Sequence, residues 1–182
     1  MSETRRYSSP LREQQAAETR EAILRAAARL FAEHGFQATT IKAVATEAAV
    51  SSATVYATFG SKARLIVALL EQLELDADPP PDNADPRTWV AYHCRIMEVS
   101  RGVIRVAMQA TGEPGVAALF EAGDRHRRAS LDRALAGHPA KVRDELWAIS
   151  SPTVYLALLD GCGWSDADYR RWLSSMMTKA TA

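Results

Sequence analysis

Residues Thr39–Arg64, TTIKAVATEAAVSSATVYATFGSKAR, decide how this chain folds. Their spacing predicts two short helices joined by a tight turn, then the start of a third. Thr40 stands where its hydroxyl can cap an orphan N–H of the first helix. Ile41, Val44, Ala45 and Ala48 recur at three- and four-residue spacing and so share one apolar face. Ala49-Val50-Ser51 forms the turn, and Ser51 caps a second helix, Ser52–Thr58. A helix of roughly seven residues is not stable alone, so packing must pin it. Val55 and Phe59, four apart, are the pins. The remaining faces carry Ala53, Thr54, Ala57 and Thr58, which are small and partly polar. A helix–turn–helix lays such a second helix in the DNA major groove, where small side chains permit close approach to base edges.

The pattern T-T-I-x-x-V-A-x-x-A-x-V-S-x-x-T-V-Y-x-x-F-x-S-K-x-x-L, from Thr39 to Leu65, resembles the DNA-binding domain of TetR-family repressors. The likeness extends upstream through Thr19–Leu24 and Leu30–Phe36, so it covers about residues 18–75. It implies an all-α fold of about nine helices. A flexible N-terminal arm (1–15) precedes a three-helix helix–turn–helix DNA-binding domain (16–76), with the motif at about 40–59. A helical effector-binding and dimerisation domain (77–182) follows.

The resemblance also implies residue roles. Thr40, Lys42, Ser51, Ser52, Ala53, Thr54, Tyr56 and Lys62 form the DNA-facing set. Thr19 and Arg20 are expected to touch phosphate. Lys62 lies in the first turn of the third helix of the quoted stretch, where a cation opposes the helix dipole. That is a poor choice for stability and a good one for holding phosphate. Tyr56 can offer its hydroxyl to phosphate or pack its ring on the first helix. Lys42 matches a position that sometimes reads guanine; it is equally a plain surface lysine. The family usually carries Gly where this chain has Ala49. If the turn needs a positive φ there, Ala costs roughly 1 kcal/mol. Direct base readout is sparse, because Ser52–Thr58 holds no Arg, Asn or Gln.

Composition fits this reading without demanding it. The 182 residues are 47% hydrophobic and carry zero formal net charge. The charge is divided, however. Residues 1–70 hold nine Lys/Arg against six Asp/Glu, and the remainder thirteen against sixteen. A mildly basic N-terminal part beside a mildly acidic remainder suits one DNA-facing module. Cys94 and Cys162 make no disulfide framework. Met1–Arg12 has no apolar core of a signal peptide, and no apolar run reaches membrane-spanning length, so a cytoplasmic protein is expected. Arg5, Arg6 and Arg12 either reach into a minor groove or form a solvated tail.

Gln14–His34 is predicted as the first helix, with Ile23, Ala27, Leu30 and Phe31 inward, Gly35 as its stop and Phe36 returning onto Phe31. The fourth helix runs from Lys62 to about Asp76, and DADPPPDNAD (76–85) marks the domain boundary. Arg87–Thr111 forms a long helix whose Trp89, His93, Met97, Ser100 and Ile104 share a stripe. Trp89, Met97, Phe120 and Trp147, bulky and central, are the candidate effector-pocket residues. The run Asp124–Arg128 is taken as solvated surface. Ser151-Pro152 kinks or splits a later helix. Ser165–Asp168 resembles a capping box. Broad apolar faces on the last two helices make Tyr155, Leu159, Tyr169, Trp172, Leu173 and Met176 the candidate dimer interface.

The partners that follow are double-stranded DNA with a palindromic operator, a small-molecule effector and a second copy of the chain. No cofactor, metal site or membrane contact is expected. An enzyme is not expected either. No nucleophile–base set or Gly-rich phosphate loop occurs, and His34, His93, His126 and His138 are scattered. The competing reading is a helical interaction module whose helix–turn–helix is merely structural.

Overall fold

A computed structural model describes residues 10–75 and 85–181. Among these residues the secondary structure is helical throughout: α1 (Pro10–Ala38), α2 (Ile41–Glu47), α3 (Ser52–Phe59), α4 (Lys62–Leu75), α5 (Pro86–Met108), α6 (Pro114–Ala134), α7 (Ala140–Ile149), α8 (Pro152–Leu156) and α9 (Asp166–Thr181). α8 runs on into a π-helical turn, Ala157–Gly161.

Local chemistry sets the boundaries. Thr40 and Ser51 cap α2 and α3 with their hydroxyls, on the Ala43 and Thr54 amides. Asp85 caps α5 through the Arg87 and Thr88 amides, with Pro86 in the first turn. The Asp85 carboxyl is held below its usual range by these two amides. Ser151 caps α8 ahead of Pro152, so the chain splits there and does not merely bend. The Ser165 hydroxyl accepts the Asp168 amide while the Asp168 carboxylate accepts the Ser165 amide, which completes the capping box. Gly35, at φ 75°, interrupts α1, and Phe36 turns back to Phe31 with ring centroids 6.1 Å apart.

Two expectations about domain limits change. Helix begins at Pro10, so residues 10–15 belong to α1 and not to a flexible arm. Residues 1–9, with Arg5 and Arg6, and the proline break at 79–81 lie outside the described residues. The cores also do not divide at residue 76. One apolar cluster joins Ile23, Val44, Val55 and Leu65 to Val106, Ala107 and Ala110 and to Val116 of α6. The end of α5 and the start of α6 therefore complete the core beneath the helix–turn–helix. A second cluster packs Trp89, Cys94, Met97 and Leu131 against Leu146, Tyr155, Tyr169 and Leu173. Burial there pushes the Cys94 thiol up to about 11. No single helix among the described residues is long and apolar enough to cross a membrane.

Candidate nucleic-acid interface and cavity

α3 is seated as its spacing predicts: Val55 is fully buried and Phe59 nearly so. The Arg20 guanidinium lies 4.6 Å from the Phe59 ring centroid, covering that pin from α1. Ala53, Tyr56, Ala57 and Thr58 are exposed. Tyr56 is 55% exposed, so of its two readings the structure favours a ring and hydroxyl offered outward over a ring packed on α1. Thr40 and Lys42 are exposed beside this face. Ser52 and Thr54 are half-buried, and Thr54 Oγ1 lies 2.9 Å from Ser51 Oγ. Thr58 returns its hydroxyl to the Thr54 carbonyl at 2.8 Å. The outer side of α3 is thus uncovered, presenting methyl groups and hydroxyls.

The turn before α3 carries Ala49 at φ 54°, the left-handed value that the family's usual Gly would adopt freely. The cap of Ser51 and the bond from the Val50 amide to the Ala45 carbonyl hold it there.

Lys62 is placed differently from the expectation that it holds phosphate. Its ammonium donates to the carbonyls of Phe36 at 2.7 Å and Thr39 at 3.0 Å, and lies 4.2 Å from the Phe36 ring centroid. These carbonyls belong to the short turn that follows the Gly35 break in α1. A charge that opposes the dipole of α4 therefore serves the turn after α1, and ties that turn to α4.

The other half of the molecule holds a cavity of about 630 Å³ between α5, α6 and the start of α8. Trp89, Met97 and Phe120 line it as expected. Trp147 does not: it sits behind the wall, with its ring 5.3 Å from the Arg127 guanidinium carbon. His93 and Arg127 line the cavity instead of Trp147. His93 stacks on Trp89, with centroids 4.9 Å apart and planes 2° apart. Burial, then the Arg127 charge, lowers its pKa to about 3, so it is neutral. The Trp89 indole N–H donates to Ser130 Oγ at 3.0 Å. Arg127 is buried, not solvated as its charged run suggests, and donates to Ser150 Oγ at 2.8 Å, to the Trp147 carbonyl and to Asp124. The sequence held one unused signal for it: Phe120, Arg127 and Leu131 fall at helical spacing on one face.

The expected dimer face also needs correction. Tyr155, Leu159, Tyr169 and Leu173 are buried within the subunit, because α8 with its π-helical turn and α9 pack against each other and against α5. Tyr155 and Tyr169 meet edge-to-face at 4.9 Å, and burial raises both phenol pKa values above the usual range. Trp172 and Met176 remain half-exposed, together with Leu158 and Trp164.

A capped, pinned second helix with an uncovered outer face, carried on an α-helical body, is a helix–turn–helix of the DNA-binding kind. Residues 23–69 match the family model described as bacterial regulatory proteins, tetR family, so this DNA-binding segment is similar to that of TetR-family regulators. Solved structures share the whole fold. NalD from Pseudomonas aeruginosa, the secondary repressor of the MexAB-OprM multidrug efflux pump, superposes with a TM-score of 0.70 at 22% identity, covering 91% of this chain and 97% of that one. A putative TetR-family regulator from Mesorhizobium loti gives 0.63 at 19% identity, with 91% and 96% covered. A transcriptional regulator from Aquifex aeolicus gives 0.66 at 16%, with 88% and 98% covered. No curated protein matches the sequence.

Proposed function

We propose that this protein is a homodimeric, cytoplasmic repressor that binds a palindromic operator and is released by a small molecule held in the cavity. Two α3 helices related by a twofold axis would enter successive major grooves. Thr40, Lys42, Ala53, Thr54 and Tyr56 form the DNA-facing set, with Ser51 and Lys62 holding the motif in shape. The half-exposed face of Leu158, Trp164, Trp172 and Met176 is the dimer contact. NalD's role as a repressor supports the sense of regulation.

The observation that carries effector control is the joint between cavity and reader. Leu70 of α4 and Met108 of α5 line the cavity. The next residue, Gln109, accepts the Phe36 amide at 3.0 Å. A Cβ added to Gly35 would meet Gln109 Oε1 at 2.9 Å, so the joint is closely fitted. Lys62 grips Phe36 as well, donating to its carbonyl. A ligand that moves Met108 must move the α1–α2 junction on which α3 is mounted. Release then needs a ligand with unequal affinity for the two arrangements.

The test uses an operator selected from a random-sequence pool and compounds that bind the cavity by calorimetry. Bound compounds should weaken operator affinity. Compounds that fill the cavity and leave that affinity unchanged would remove effector release. Failure to select any sequence would favour a helix–turn–helix with a purely structural role.

A further inference from the structure

We infer that the cavity takes a slender apolar molecule ending in a carboxylate, with Arg127 gripping the head. This rests on the cavity being the effector site. Tyr92 and Met108 line it from one helix. Sixteen residues of α-helical rise separate them, about 24 Å. A cavity of about 630 Å³ drawn out over that length is elongated. The shape is a slot for an extended body and not a chamber for a compact one.

Polarity along the slot is uneven. Toward α4 the walls are Leu70, Met108, Leu119 and Phe120, with Thr111 beside them. Toward the far end stand His93, Asp124, Arg127 and Ser130. Arg127 is the cation there, and its side chain is only 9% exposed. Its Nη1 is committed to the Trp147 carbonyl and Ser150 Oγ. The opposite edge, formed by Nε and Nη2, is only half used. Nη2 donates to Asp124, and Nε is buried with no partner. An Nε/Nη2 edge is the guanidinium fork that receives a carboxylate with two parallel hydrogen bonds.

The other ionisable neighbours do not compete for it. His93 is neutral and stacked on Trp89. His126 is exposed. Arg128 pairs with Asp132 and Asp144. Asp124 is the resident counterion, and its side chain is 44% exposed. An entering carboxylate reaches this edge by displacing Asp124, because Nε is buried while Asp124 is in place; the half-exposed Asp124 then swings into water. A bidentate carboxylate also satisfies the orphaned Nε, which Asp124 leaves unpaired.

Calorimetric titration of the full chain with dodecanoate, dodecanol and dodecylammonium, each below its aggregation threshold, tests this. Dodecanoate should bind at least tenfold tighter than either other probe. Arg127→Gln should erase that preference. Because Arg127 also ties α6 to α7, Asp124→Asn supplies a variant at a half-exposed site. It should tighten dodecanoate severalfold and leave dodecanol unchanged. Equal affinities for the three probes, no binding of any, or no effect of Asp124→Asn on dodecanoate would overturn the inference. Operator affinity separates the two readings. Arg127-dependent dodecanoate binding without operator release would sink the effector reading alone. Operator release by dodecanol as readily as by dodecanoate would sink the carboxylate alone.

Discussion

Replacing Lys62 with Met separates two roles for that cation. The chain length of the side chain is kept and the charge removed. In the structure the ammonium serves the Phe36 and Thr39 carbonyls at 2.7 and 3.0 Å, with the Gln37 carbonyl at 3.5 Å and the Phe36 ring beneath it. The two shorter charged hydrogen bonds contribute about 1.5–3 kcal/mol each. Ordering a lysine offsets up to about 2 kcal/mol. The half-buried site therefore loses about 2 kcal/mol net. For a chain of this size that lowers Tm by about 4–8 °C. Urea or thermal unfolding reads this loss directly. Operator binding, measured by anisotropy across a salt series, reads the alternative. A lost phosphate contact would flatten the log–log salt slope by about 0.9. The clamp predicts lowered stability and an unchanged slope. Unchanged stability with a flattened slope would refute it.

Three further outcomes follow from the structure. Ala49→Gly should raise stability by about 1 kcal/mol, because φ 54° strains an L side chain; an unchanged urea midpoint would show that the turn relaxes at no cost. His93 sets an acid limit. Its pKa of about 3 lies below its ordinary 6.5, so the unfolded chain binds a proton the folded one does not. That contribution is complete above pH 6.5 and is lost as pH falls toward 3, at about 1.4 kcal/mol per unit. His93→Phe should flatten the stability profile between pH 6 and 5, and an unaltered slope would show that His93 charges in the folded state. Trp172→Glu, on the half-exposed face beside Trp164, should give monomers by light scattering while retaining helical circular dichroism. A dimer of unchanged mass would move the interface elsewhere.

What was legible in the sequence was local. Thr40, Ser51, Ser151 and the Ser165–Asp168 pair signal helix starts through hydroxyl and carboxylate caps, and the structure uses every one of them. Val55 and Phe59 were readable because four-residue spacing fixes a face. What escaped depended on partners distant in the chain. Lys62 lies in the first turn of α4, yet its energetics belong to the end of α1, 23–26 residues earlier. Arg127 sits in a charged run, yet the Trp147–Ser150 segment draws it inward. Tyr155 and Tyr169 look like one stripe too many for a small domain, but α5 consumes both. Periodicity says which residues share a face and not what that face meets.

The claim on which the rest depends is that the uncovered side of α3 reads DNA. Ala53 and Ala57 stand one turn apart on that side and are both exposed. The direct measurement is operator affinity of Ala53→Glu and Ala57→Glu, with helical content and urea midpoint checked in parallel. Each should leave folding intact and weaken operator binding at least tenfold, since a carboxylate pressed into the groove faces phosphate charge on both sides. Folded variants that bind the operator as tightly as the parent would contradict it.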